Sequence, residues 1–141
     1  MRAARIRAIV AAVALAIASL TTLVIAQPAQ AAVSCTSTKF VTRGVLVYDL
    51  PSASGSIACQ LGLGNASAAV SDLQSNLNLC NGQHLSVDGD YGPATQQAVR
   101  NVQSRHGIPV DGVYGPQTRN NMSWHVHPTG SARFSCATFP G

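Results

Sequence analysis

Glutamate is absent from this 141-residue sequence, and lysine occurs once, at Lys39. Without glutamate there is no H-E-x-x-H metal site. A glycosidase needs an acid and a second carboxylate held at a fixed separation. Five aspartates remain, Asp49, Asp72, Asp88, Asp90 and Asp111, and their spacing suggests no such pair. No G-x-S-x-G motif marks a serine nucleophile, and no C-x-x-C occurs, which excludes the usual zinc signatures. His125-Val126-His127 could clip a metal only with a third ligand, so these read as surface histidines; His84 and His106 fall in a loop and at a helix end. The sequence thus assigns no catalytic residue, no metal site and no cofactor. Aromatic residues make up 5% of the chain, which predicts a light core.

Charge is also sparse once its location is considered. Arg2, Arg5 and Arg7 precede an uncharged run from Ala8 to Ala26, and Pro28-Ala29-Gln30-Ala31-Ala32 follows. That order reads as a secretory signal peptide cut after Ala31. Losing three arginines lowers the formal charge from +4 to +1 and leaves no basic cluster. No nucleic-acid partner is expected, and no stable membrane anchor after cleavage. The remainder suits one small secreted or wall-associated domain, read as a monomer.

All four cysteines lie beyond the signal segment, at Cys35, Cys59, Cys80 and Cys136. An even count in a small secreted chain predicts two disulfides. Three pairings are possible; Cys59–Cys80 with Cys35–Cys136 is the one favoured.

What the chain does contain is a repeat. Val87-Asp88-Gly89-Asp90-Tyr91-Gly92-Pro93-Ala94-Thr95 recurs as Val110-Asp111-Gly112-Val113-Tyr114-Gly115-Pro116-Gln117-Thr118, with seven of nine positions identical. Such a repeat is one loop-to-helix unit used twice. Before it, Ala66, Val70, Leu73, Leu77 and Cys80 keep helical spacing, Asn65 or Ser67 can cap the start, and Asn81-Gly82 supplies an exit. A second helix starts at Pro93, buries Ala98, Val99 and Val102, and ends at Gly107. A third runs from Pro116 to about Trp124. Val45 to Tyr48 reads as a short strand or extended segment, and Pro51 to Ser56 as a turn-rich connector. The expectation is an all-α three-helix bundle over 60–124. A signal peptide at 1–31, an irregular disulfide-tethered arm at 32–59 and a tail at 125–141 complete the chain.

Val70-Ser71-Asp72-Leu73-Gln74-Ser75-Asn76-Leu77-Asn78, the two D-G-x-Y-G-P-x-T loops, and Ala98-Val99-Arg100-Asn101-Val102-Gln103 together resemble the peptidoglycan-binding type 1 domain. The resemblance covers about residues 60–124. It departs at Val102, where that family usually has Phe, and at Asn121-Met122, where it commonly has Ala-Leu. It implies a three-helix fold and binding of bacterial cell-wall peptidoglycan, through glycan or stem peptide, commonly beside a wall-active enzyme.

Each repeated residue also has an architectural reading: aspartates hold turns, glycines take positive φ, and tyrosines pack inward. On the functional reading the loops frame a groove in which tyrosine faces meet sugars and helix starts meet a carboxylate. Asp88, Asp90, Tyr91, Arg100, Gln103, Asp111 and Tyr114 are the contacts expected. The activity expected is non-catalytic wall binding, with no room in the chain for a catalytic domain. The alternatives are a secreted protein-interaction or inhibitor protein on the same bundle, and a small metal-dependent wall hydrolase using the C-terminal histidines.

Overall fold

The computed structural model describes residues 32–141. The signal-peptide reading of 1–31 falls outside the described residues. Among those described, no helix is long and apolar enough to cross a membrane.

The architecture is not an all-α bundle. Seven elements follow in order: β1 (Ser37–Arg43), β2 (Leu46–Ser52), α1 (Ala68–Asn81), α2 (Pro93–Arg105), α3 (Pro116–Asn121), β3 (Ser123–Pro128) and β4 (Ser135–Thr138). The strands form one antiparallel sheet in the order β1-β2-β3-β4. Strands β1 and β2 make a hairpin turning at Gly44, whose φ of 60° suits glycine. Strand β2 then pairs with β3, Leu46 opposite Pro128 and Tyr48 opposite Val126, so the three helices form an insertion between two central strands.

The expected irregular arm and tail are therefore the sheet itself. Their alternation is real but brief: Tyr48 and Leu50 point inward from β2, as do Trp124 and Val126 from β3. The third helix stops at Asn121 instead of reaching Trp124. Met122 is extended, with φ −80° and ψ 162°, and its side chain is fully buried. Trp124 serves the sheet, donating its indole N–H to Arg119 O at 2.9 Å.

The helices otherwise follow their sequence signals. Val70, Leu73 and Leu77 of α1 and Ala98, Val99 and Val102 of α2 are buried. Gly82 takes the left-handed exit (φ 65°) and donates to Leu77 O, while Pro93 and Pro116 open their helices. These side chains share one core with Tyr48, Leu50, Leu61, Tyr91, Tyr114, Trp124, Val126 and Phe139. Each fully buried large apolar side chain contributes about 1.5–3 kcal/mol.

The disulfide pairing also differs from expectation: Cys35 bonds Cys59 and Cys80 bonds Cys136. The strands decide this. Cys35 enters β1 beside residue 60, donating its N–H to Gln60 O, and Cys136 on β4 is delivered to the end of α1. At separations of 24 and 56 residues, the chain-entropy model gives about 3.5 and 4 kcal/mol of stabilisation.

Candidate functional site

Each repeated loop closes around a buried glutamine side chain from the preceding helix. In the first, Gln74 Nε2 donates to Asp88 Oδ1 (2.8 Å), Asp90 O (3.0 Å) and Thr95 Oγ1 (3.1 Å). Its Oε1 accepts the Asp88 and Gly89 N–H groups at 3.1 and 3.0 Å. In the second, Gln103 Nε2 donates to Asp111 Oδ1 (2.7 Å), Val113 O (3.0 Å) and Thr118 Oγ1 (3.1 Å), and Oε1 accepts Gly112 N–H at 2.8 Å. Asp88 and Asp111 each also accept the N–H two residues on, at 3.0 and 2.8 Å, the geometry of an Asx turn. The repeated D-G-x-Y-G-P-x-T is thus the sequence of a loop stapled to a glutamine amide.

Residues 61–65, ahead of α1, join the two loops. Leu61 exchanges both backbone hydrogen bonds with Tyr114 at 2.9 Å, and Asn65 O accepts Tyr91 N–H at 2.8 Å.

In front of the first loop lies a depression of about 300 Å³, lined by His84, Leu85, Ser86, Asp88, Asp90, Gly92, Pro93 and Ala94 and floored by Gln74 and Thr95. A smaller one of about 120 Å³ lies before the second loop, with Gln60, Pro109, Asp111, Gly115, Pro116 and Gln117 at its walls. Neither lining includes a lysine or arginine. Asp88 and Asp90 are exposed on the first rim and Asp111 on the second. The Asp90 N–H, then the Gln74 amide, hold the Asp88 carboxyl below the ordinary carboxylate range, so it stays charged.

Four of the expected contacts lie away from the rims. Tyr91 and Tyr114 are 1% and 0% exposed, so neither ring face can meet a sugar. Tyr91 donates its hydroxyl to Gly112 O at 2.9 Å, and the Tyr114 ring meets Trp124 edge-on. Burial pushes both phenols well above their usual range. Gln103 is 2% exposed and is the second staple. Arg100 is half-buried against Gly112, away from either depression. Asp88, Asp90 and Asp111 remain at the rims. The sequence reading missed Gln74, although it lies in the L-Q motif at the place Gln103 holds before the second loop. It also missed the wall formed by His84, Leu85 and Ser86, which no repeat marks.

The His125 and His127 rings stand 5.3 Å apart, centroid to centroid, on one face of β3. Among the described residues, no three His, Cys, Asp or Glu side chains gather to hold a metal ion.

Residues 66–122 match the family model described as "Putative peptidoglycan binding domain". No curated protein matches the chain. Similar solved structures include the Burkholderia AP3 phage endolysin, 44% identical, with 42% of this chain and 22% of that one covered and a TM-score of 0.41. A fused zinc-dependent amidase/peptidase and peptidoglycan-binding-domain protein of Clostridium acetobutylicum is 38% identical, covering 43% and 27% respectively, with a TM-score of 0.42. The SleB N-terminal domain is 39% identical, covering 43% of this chain and 84% of that one, with a TM-score of 0.41. The chain therefore spans 22% and 27% of the length of the first two.

Proposed function

We propose that this chain, whose residues 66–122 match the peptidoglycan-binding domain model, holds bacterial peptidoglycan at the depression in front of α2. The observation that carries this placement is the depression itself, open beside a loop too rigidly stapled to close over it. Its rim carries the exposed carboxylates of Asp88 and Asp90, with no lysine or arginine in the lining. That charge favours an amine-bearing part of the wall over the carboxylate expected from helix starts alone. Pro93, Ala94 and Leu85 offer apolar contact beside the carboxylates. The role proposed is retention on the wall without turnover: Asp88 and Asp111 are committed to their loops, and Asp49 and Asp72 lie under α1 and the sheet. Secretion ahead of wall binding follows from the proposed signal segment.

The test is co-sedimentation of residues 32–141, oxidised, with insoluble peptidoglycan. Asp90→Asn and Ala94→Arg alter exposed side chains that hold nothing in the fold. Each is expected to weaken retention about tenfold, as is acetylation of the wall's free amines. Failure of the wild-type protein to pellet on walls of several chemistries would end the proposal. Unchanged retention of both variants would move the site elsewhere.

Phe40, Val45 and Phe134, each at least 64% exposed around the sheet, favour a second reading in which a protein partner such as a wall-active enzyme docks there. Partner capture abolished by Phe40→Ser with wall retention intact would distinguish it.

A further inference from the structure

The six basic residues beyond residue 31 are scattered in sequence, but the fold gathers three of them. Alternation along β1 puts Lys39, Val41 and Arg43 on one face, and Val41 packs against the core. The buried Phe139 ring lies under two guanidinium groups, Arg43 at 5.1 Å and Arg119 of α3 at 5.4 Å from its centroid. Lys39 and Arg119 hold the same turn: Lys39 Nζ donates to Gly55 O at 2.7 Å and Arg119 Nη1 to Ile57 O at 2.6 Å.

This cluster has no counter-charge of its own. Among the described residues its hydrogen bonds go to neutral oxygens: those two carbonyls, Thr42 O for Arg43 and Asn120 Oδ1 for Arg119. Asp49 stands opposite Phe40, on the other face of the sheet, and Asp88 and Asp111 are bound by the glutamines. The titratable groups that act on Arg119 are Tyr114 and Arg43, with no carboxylate among them. Arg119 is nevertheless only 8% exposed. Burial holds its guanidinium below the ordinary range; the Tyr114 phenol opposes that and the Arg43 charge adds to it. Arginine does not escape such a setting by losing its proton. Two neutral hydrogen bonds and a ring face replace only part of the lost hydration.

We propose that Lys39, Arg43 and Arg119 form an anion site beside Phe139 that takes a phosphate group, as the free ion or as a monoester. The planar guanidinium fork fits phosphate oxygens two at a time. Such a phosphate carries nearly two negative charges at neutral pH, so it answers two guanidinium groups where a carboxylate answers one. The site is separate from the depression in front of α2, whose lining includes none of the three residues.

The experiment is a titration of residues 32–141, oxidised and without wall material, with inorganic phosphate at constant ionic strength. It is read at the arginine Nε–Hε NMR signals and as melting temperature. The Arg43 and Arg119 signals are expected to shift saturably and the melting temperature to rise, with acetate and chloride doing far less. Arg43→Gln alters an exposed side chain and should weaken phosphate binding about fivefold. Arg43→Glu should abolish it and, by giving Arg119 an internal partner, raise the melting temperature in phosphate-free buffer. A parallel titration with glycerol phosphate separates the two sources: the tighter ligand identifies a monoester or the free ion. Shifts that do not saturate, an equal response to acetate, or wild-type phosphate affinity in Arg43→Gln would overturn the proposal. No wall material enters the titration, so it stands or falls separately from peptidoglycan binding.

Discussion

The two repeated loops share seven of nine residues and the same glutamine staple, yet they are not equivalent. The first lies 14 residues beyond its glutamine, behind a stretch that includes His84, Leu85 and Ser86; the second lies 8 beyond. The first loop opens a 13-residue helix and fronts the larger depression, while the second opens a helix of 6 residues that runs straight into β3. What repeats is the means of holding the chain. What differs is the wall of the larger depression, to which His84, Leu85 and Ser86 add side chains that do not repeat.

That comparison breaks hardest at the glutamines. Gln74→Ala strands five hydrogen bonds and Gln103→Ala four, in buried surroundings. Each is expected to cost about 3 kcal/mol, measured by denaturant unfolding, because the loop's polar groups lose their partner. Gln74→Ala should also abolish wall retention at temperatures where the protein remains folded. Gln103→Ala should leave that retention largely intact.

The glycines sharpen the contrast. Gly112 has φ 72°, and an added Cβ would sit 2.6 Å from Gln96 Cγ and 2.8 Å from Arg100 Nε. Gly89 has φ 80° and would meet only Ser71 Oγ within 3 Å. Gly112→Ala should cost about 2 kcal/mol and Gly89→Ala nearer 1, visible as a difference in melting temperature.

The tyrosines separate most finely. Tyr91 hands its hydroxyl to the second loop, whereas the Tyr114 hydroxyl is buried with no partner. Tyr91→Phe should cost about 1 kcal/mol, while Tyr114→Phe should be neutral or slightly stabilising. Equal losses from the two substitutions would show that the tyrosines are interchangeable after all.

The parts of the molecule legible in the sequence are those whose signals are local. Pro93 and Gly107 bound α2, Gly82 ends α1, and the duplicated nonapeptide announced two like loops. The sheet was illegible because β2 pairs with β3 some 80 residues away, and strands of four to seven residues give little periodicity to read. Once Trp124 is placed at the end of a helix, its alternation with Val126 is lost. At the site, identical tyrosines in both copies suggested ligand stacking. Their identity instead reflects a core position required twice, while the variable neighbours Leu85, Ser86 and Ala94 line the depression.

The two disulfides close rings that follow one another along the chain, 35 to 59 and then 80 to 136, and neither encloses the other. Oxidation therefore imposes no order: either ring can be sealed first, and no segment need be threaded through the other. Gln103 and its loop travel inside the second ring, so their encounter is confined from the moment it closes. Gln74 lies between the rings and must reach a loop inside one of them. The same staple thus forms once as a closure within a tethered ring and once as a docking from outside it.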